Sequence, residues 1–176
     1  MRRILCLLVL LAAPAAVSPA GAIPLSMLLF FAIPGKAAWG TLVGKIEVTT
    51  GKKDENSVVY LREVKGHYAL PQKPAVMDQK GKVFIPHLLP VQQGQTVRFK
   101  NSDTFSHNAH AYWEKRAMFN LNQPPNGYTD WTPARTGEYL LLCNIRQEMS
   151  AFLLVFNHPF FAEVASSEFK IENIPE

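Results

Sequence analysis

Three side chains that suit a soft metal ion stand out in the sequence. Cys143 and Met149 lie in the segment CNIRQEM, residues 143–149, and His107 lies upstream in NSDTFSHN, residues 101–108. A thiolate and a thioether are soft ligands, and an imidazole suits copper. Blue-copper sites combine one thiolate, two imidazoles and a weak axial thioether. The residue types and their spacing therefore predict a copper site formed by His107, Cys143 and Met149.

The residue at position 146, where a second imidazole is expected, is Arg146. A guanidinium group stays protonated and has no acceptor lone pair, so it cannot ligate a metal. Three possibilities stay open. The three remaining ligands form a low-coordinate site that favours Cu(I), helped by the positive charge of Arg146. Alternatively His110 supplies the second imidazole, or the metal has been lost and the fold persists as a scaffold.

Polar neighbours of the candidate ligands are expected to support the site. Asn101 and Asn108 are placed to hydrogen-bond between the two ligand segments and hold them together. Arg146 is expected to pair with Glu148 or Asp103, and an exposed ion pair of this kind contributes little to stability.

The elements that position these residues read as short β-strands. From residue 40 onwards, runs of β-branched and aromatic residues alternate with turn residues, and no long helical period is present. The apolar runs GEYLLLC, residues 137–143, and SAFLLVF, residues 150–156, flank the candidate ligand loop and predict a tight connection at one end of a sandwich. The segment AYWEKRAMFNL, residues 111–121, is predicted to be a short helix or an irregular loop. The pattern predicts an all-β fold, a Greek-key β-sandwich.

Three stretches give the sequence a resemblance to the cupredoxin family, in particular to periplasmic plastocyanin-like proteins of the methylamine utilisation type. They are MDQKGKVFIPHLLPVQQGQTVRFKNSDTFSHN, CNIRQEMSAFLLVFNHPFFA and FKIENIP, and with the strands between them they cover roughly residues 40–176. The short ligand loop also resembles that of amicyanin. The resemblance implies that His107 is the upstream imidazole, Cys143 the thiolate and Met149 the axial ligand of a single copper ion. It also implies one-electron transfer with a redox protein partner.

The first 38 residues have the features of an export signal. Arg2 and Arg3 precede a long apolar run, and small residues follow at residues 20–22. A second apolar run, residues 23–34, is short for a membrane span, so cleavage is predicted near residue 22 or near residue 38. A membrane anchor is the less favoured alternative. The predicted organisation is an export signal at 1–38, a cupredoxin-like domain at 39–160, and a tail at 161–176 that is a terminal strand or the start of a truncated β extension.

Net charge, cysteine content and the absence of catalytic motifs indicate which classes of function to expect. The formal net charge is +4, but three basic residues lie in the first 38 residues, which contain no acidic residue. The remainder has no basic stripe that would indicate nucleic-acid binding. Cys6 lies in the predicted signal, so Cys143 would be a lone thiol in an oxidising compartment such as the periplasm, protected by burial or by a metal. No catalytic motif is present, so we predict a copper-binding electron carrier and not an enzyme, with a metal-free binding module as the alternative.

Overall fold

The computed structural model describes residues 39–46, 57–164 and 167–175. The predicted export signal lies outside the described residues. All regular secondary structure in the described ranges is β-strand. The strands are β1 Trp39–Lys45, β2 Val58–Tyr60, β3 Ala75–Lys80, β4 Val83–Ile85, β5 Leu88–Gln92, β6 Val97–Asn101, β7 His107–Trp113, β8 Arg116–Gln123, β9 Tyr128–Trp131, β10 Gly137–Leu142, β11 Ser150–Phe156, β12 Phe161–Glu163 and β13 Glu168–Pro175.

Two sheets face each other across one hydrophobic core. The larger sheet has the strand order β5-β11-β10-β7-β8, and the smaller has the order β4-β3-β6-β9. Side chains from both sheets are fully buried between them, among them Phe99 from β6 and Leu153 from β11. Burying a side chain of this size contributes about 1.5–3 kcal/mol. The predicted all-β sandwich is therefore confirmed.

The apolar strand β11 shows how the sequence forms the core face. Its seven residues alternate between half-buried and buried, and Ala151, Leu153 and Val155 are the buried ones. Successive side chains of a strand point to opposite faces, so these three line the core. On the neighbouring strand β10, Tyr139 and Leu141 are likewise fully buried. This packing holds both ends of the candidate ligand loop firmly.

The entry into β10 depends on a glycine and a tyrosine. Gly137 has a φ of 119°, a backbone conformation that residues with a side chain rarely adopt. A Cβ at this position would lie 2.8 Å from Nε1 of Trp113. Two residues later the hydroxyl of Tyr139 donates a 2.9 Å hydrogen bond to the carbonyl of Arg135, and burial raises the pKa of Tyr139. These contacts anchor the start of β10, at the opposite end of the strand from Cys143.

A strand that contains a proline lies at the edge of the larger sheet. Pro90 lies within β5, which is the outermost strand of the larger sheet and pairs in parallel with β11. A proline lacks the N–H that a central strand needs, and an edge strand tolerates this loss. The preceding Ile85–Pro86 peptide bond is cis.

The prediction of a helix or irregular loop at residues 111–121 was wrong. These residues belong to the hairpin of β7 and β8, which pairs His107 with Gln123 and Trp113 with Arg116. Glu114 and Lys115 form its turn, with φ of 46° and 65°. Such turns usually contain Asn or Gly, so the sequence lacks the usual hairpin signal here.

The tail residues form further strands. β13 pairs with β1 as a separate two-stranded sheet, and β12 pairs with β2 as another. Phe169 of β13 lies directly over Gly44 of β1, since a Cβ on that glycine would be 2.5 Å from the ring.

In the described ranges no helix is long and apolar enough to cross a membrane.

Candidate metal centre

The segment from Cys143 to Met149 connects β10 and β11 as a short, internally bonded loop. The N–H of Cys143 donates to the carbonyl of Met149 at 3.2 Å, and the N–H of Met149 donates to the carbonyl of Arg146 at 3.0 Å. Leu142 and Ser150 are paired immediately outside it. The backbone therefore holds the cysteine and the methionine next to each other at the neck of the loop.

His107 reaches this neck from the first residue of β7, the strand beside β10. Its Nδ1 lies 3.7 Å from Sγ of Cys143. The three predicted ligands are almost completely buried, with exposed fractions of 0% for His107, 2% for Cys143 and 1% for Met149. Cys143 and Met149 belong to the same core cluster. The tertiary structure thus brings an imidazole and a thiol together out of contact with solvent, and Met149 is buried at the other side of the loop neck.

The spacing of the nitrogen and sulfur atoms suits a bound metal ion. Metal–thiolate and metal–imidazole bonds for a zinc-sized ion are about 2.3 Å and about 2.0 Å long, and two such bonds meeting at about 120° span roughly 3.7 Å. The observed Nδ1–Sγ separation is 3.7 Å. A thiol and an imidazole are side chains that bind a soft or borderline ion. Cu(I) in particular is selected by soft thiolate and thioether ligands.

Asp103 contacts the other nitrogen of His107. Its Oδ2 lies 2.9 Å from Nε2, while its Oδ1 accepts a 2.7 Å hydrogen bond from the N–H of Gly81 and Oδ2 accepts one of 3.1 Å from the N–H of Lys82. Burial alone would raise the pKa of Asp103, but these two N–H donors and His107 outweigh it and lower the pKa. The carboxylate is therefore ionised at neutral pH.

Asn101 and Asn108 were predicted to join the two ligand segments by hydrogen bonds. The structure confirms this for Asn108, whereas the prediction was wrong for Asn101, whose partners all lie outside the segment 143–149. Oδ1 of Asn108 accepts the N–H of Asn144 at 2.8 Å and lies 3.4 Å from Sγ of Cys143. The amide of Asn101 donates to the carbonyl of Phe105 at 2.8 Å and to that of Gln123 at 3.0 Å. Both amides bridge neighbouring segments and so stiffen the metal-binding end.

Arg146 lies over an aromatic ring beside the site. Its guanidinium carbon is 5.2 Å from the centroid of Phe105, and the Phe105 ring makes an edge contact with His107 at 5.0 Å between centroids. The prediction that Arg146 pairs with Glu148 or Asp103 was wrong: in the described part of the chain Arg146 forms an ion pair with neither, and the carboxylate of Asp103 faces His107. A cation placed over an aromatic face is stabilised by the ring quadrupole. Phe105 therefore lies between Arg146 and His107 in this chain of contacts.

His110 lies on the other face of β7 from His107. The two are three residues apart in one strand, and odd separations place side chains on opposite faces. Nδ1 of His110 lies 3.2 Å from Oδ1 of Asn144 and 3.1 Å from the hydroxyl of Tyr112. This arrangement does not bring a second imidazole to Cys143.

Within the described ranges, no group of three or more His, Cys, Asp and Glu side chains is arranged to hold a metal ion. A metal at Cys143 and His107 would therefore depend on Met149 as its third ligand. Sequence reasoning missed the contact of Asp103 with His107, although their four-residue separation within one segment was visible. It also missed Phe105 beside His107.

Comparisons with known proteins place the chain as follows. No protein-family model matches it, and no curated protein matches it. Among solved structures it is similar to a copper-containing nitrite reductase from Thermus scotoductus SA-01, with 24% identity and a TM-score of 0.45, over 53% of this chain and 25% of that one. The chain thus spans about a quarter of the nitrite reductase.

Two smaller proteins are also similar. A methionine-to-alanine variant of amicyanin in its Cu(I) form matches with 20% identity and a TM-score of 0.44, over 47% of this chain and 82% of that one. A purple cupredoxin from Nitrosopumilus maritimus matches with 17% identity and a TM-score of 0.42, over 47% of this chain and 99% of that one. Of these three proteins, the nitrite reductase contains copper, the amicyanin variant is in a Cu(I) form, and the third is a cupredoxin.

Proposed function

We propose that this protein binds one copper ion through His107, Cys143 and Met149 and serves as an exported one-electron carrier for a redox protein partner. The observation that carries the proposal is the buried contact of Nδ1 of His107 with Sγ of Cys143 at 3.7 Å, with Met149 also buried and its carbonyl bonded to the N–H of Cys143. Copper in such a site supplies one-electron chemistry by changing between Cu(I) and Cu(II). The residues bind the ion, exclude water and restrict movement of the ligands.

The ligand set favours Cu(I) over Cu(II). Two of the three donors are sulfur atoms, which are soft, and only one is an imidazole. Arg146 adds a positive charge three residues after Cys143. Because Coulomb repulsion rises with the charge of the ion, this guanidinium disfavours Cu(II) more than Cu(I). We therefore expect a high reduction potential and a weak or absent blue colour.

Anaerobic titration of the purified protein with Cu(I), in competition with a chromophoric chelator, tests the proposal. The wild-type protein is expected to bind one equivalent tightly, and Cys143→Ser to lose this binding. Met149→Leu is expected to weaken binding at least about tenfold, which corresponds to ~1.4 kcal/mol. Met77→Leu is the matched control, since Met77 is a fully buried methionine elsewhere in the core. Absence of tight, Cys143-dependent binding in both oxidation states would rule the proposal out.

The second candidate is a metal-free binding module that uses the loop end of the sandwich to contact a protein. It is favoured by Arg146 at the place of the second imidazole and by exposed Ile145 beside it. In this case Cys143 is a buried packing residue whose thiol donates to Oδ1 of Asn108. The same titration separates the two candidates, because a module would show no copper binding that depends on Cys143.

A further inference from the structure

The carboxylate of Asp103 is held by the turn between β3 and β4. These strands belong to the smaller sheet, whereas His107 belongs to the larger one. Gly81 and Lys82 join β3 to β4 with φ of 64° and 62°, and both point their N–H groups at the Asp103 oxygens, at 2.7 and 3.1 Å. The N–H of Asp103 donates to Oδ1 of Asn101 at 2.9 Å. Three groups, from Gly81, Lys82 and His107, therefore fix the position of this side chain, and Asn101 holds its backbone.

This arrangement determines which ring nitrogen of His107 carries the proton. An ionised carboxylate only accepts hydrogen bonds, so Nε2 of His107, 2.9 Å from Oδ2, must be the donor. The neutral ring then has its lone pair on Nδ1, the nitrogen that faces Cys143. Oδ1 of Asn108 lies 3.4 Å from Sγ of Cys143 and can accept the thiol proton, which would leave this lone pair free.

We infer that Asp103 is a positioning residue that selects the metal-binding tautomer of His107 and fixes the orientation of its ring. The inference rests on the proposed function for the identity of the ion, whereas the tautomer is a property of the metal-free protein. A carboxylate behind a ligating histidine also raises the basicity of the ligand. The β3–β4 turn of one sheet thereby holds a ligand that belongs to the other.

The substitution Asp103→Asn separates positioning from simple packing. In the wild type, one carboxylate oxygen accepts a hydrogen bond from Gly81 and the other accepts from Lys82 and His107. Asparagine has only one acceptor oxygen, and its NH2 group is a donor, so it cannot accept all three bonds. If its NH2 faces His107, Nε2 becomes the acceptor and the proton moves to Nδ1, which then cannot ligate. Asp130→Asn is the matched control, because Asp130 is also a paired carboxylate but bonds Arg98 at 2.8 Å on the outer surface.

The first measurement is the tautomer of His107 in metal-free wild-type protein at neutral pH, from the nitrogen chemical shifts of ¹⁵N-labelled imidazole. We expect a protonated Nε2 and an unprotonated Nδ1. A protonated Nδ1 would overturn the inference, whether or not the ring is charged. This measurement needs no variant and no copper, so it remains decisive if Asp103→Asn fails to fold.

The second measurement is Cu(I) affinity by chelator competition. Loss of such a partner of a ligating residue weakens metal binding about 10–100-fold, and we expect this for Asp103→Asn together with the changed tautomer. Asp130→Asn is expected to bind within about twofold of wild type. Equal affinities of Asp103→Asn and wild type would overturn the inference. If the expected tautomer is found but the wild type binds no copper, the proposed function fails while the positioning role stands.

Discussion

Nδ1 of His107 lies 3.7 Å from Sγ of Cys143, although 36 residues separate them in the chain. The contact arises because β7 and β10 are paired neighbours in the larger sheet, with Ala111 opposite Leu141. Both side chains point into the core at the end where the ligand loop crosses from β10 to β11. The relationship is therefore a consequence of sheet register, and a change of register by one residue would turn one of the two side chains outwards.

Replacing Arg146 with histidine is predicted to create a blue Cu(II) centre. Arg146 lies over Phe105, which itself contacts His107, so a side chain at this position is close to the site. An imidazole there would complete a set of one thiolate, two imidazoles and a thioether. Ultraviolet–visible absorption and electron paramagnetic resonance of Cu(II)-loaded protein measure the result. Arg135→His is the control, because Arg135 lies over Trp113 and not beside the ligand loop. A folded Arg146→His protein with no new Cu(II) signal would contradict the prediction.

Gln79 and Gln123 are predicted to be coupled in stability. Both are fully buried, and Nε2 of Gln79 donates to Oε1 of Gln123 at 3.0 Å. Oε1 of Gln79 and Nε2 of Gln123 have no partner in the described part of the chain. Changing either residue alone to leucine breaks this hydrogen bond and leaves both polar atoms of the other glutamine unpaired, which is expected to cost about 1–3 kcal/mol. The double change removes all of them and is expected to cost less than the sum of the two. A double-mutant cycle by chemical denaturation gives the coupling, and additive effects would contradict it.

Gly137→Ala is predicted to destabilise the protein by about 1–3 kcal/mol through backbone strain. Its φ of 119° and the 2.8 Å approach of a new Cβ to Nε1 of Trp113 both oppose a side chain. Thermal and urea unfolding measure the cost. Gly40→Ala is the control, since its Cβ would meet nothing closer than 3.8 Å, and it is expected to stay within about 0.5 kcal/mol of wild type. Equal stability of the two variants would argue against strain at Gly137.

His158 is predicted to make the protein less stable in acid. The ring is almost fully buried, with Nε2 2.9 Å from the carbonyl of Leu61 and Nδ1 accepting the N–H of Phe160 at 3.1 Å. Burial lowers the pKa of His158 below its usual value. The unfolded chain therefore binds a proton at a higher pH than the folded protein does. Stability should be constant above the unfolded pKa of about 6.5 and should fall as pH drops from there towards the lower folded pKa.

Unfolding free energies of wild type and His158→Gln between neutral and mildly acidic pH check this prediction. The variant is expected to be less stable at neutral pH, because it loses the buried imidazole ring and its two hydrogen bonds. Its unfolding free energy is expected to depend less on pH. His67→Gln, at an exposed histidine, is expected to retain the acid-dependent loss of the wild type. An unchanged slope in His158→Gln would assign the acid sensitivity to other groups.

Local patterns predicted much of the sandwich because their signals do not depend on distant residues. The apolar run SAFLLVF, residues 150–156, corresponds to β11 residue for residue. The hairpin turn at Glu114 and Lys115 was missed because neither residue carries the sequence signal of left-handed backbone. At this turn the pairing of β7 with β8 imposes a left-handed backbone that Glu114 and Lys115 do not favour by themselves.

Sequence alone determined the chemical character of the site: a thiol and a thioether six residues apart in one loop, an upstream imidazole, and a guanidinium that cannot ligate. Only the tertiary structure decided that His107 and Cys143 face each other, that His110 lies on the opposite face, and that Asp103 is held behind His107 by the turn at Gly81 and Lys82. The physical reason is that residue types and short spacings are properties of the local chain. Contacts across paired strands and between two sheets depend on register and packing, which no single segment contains.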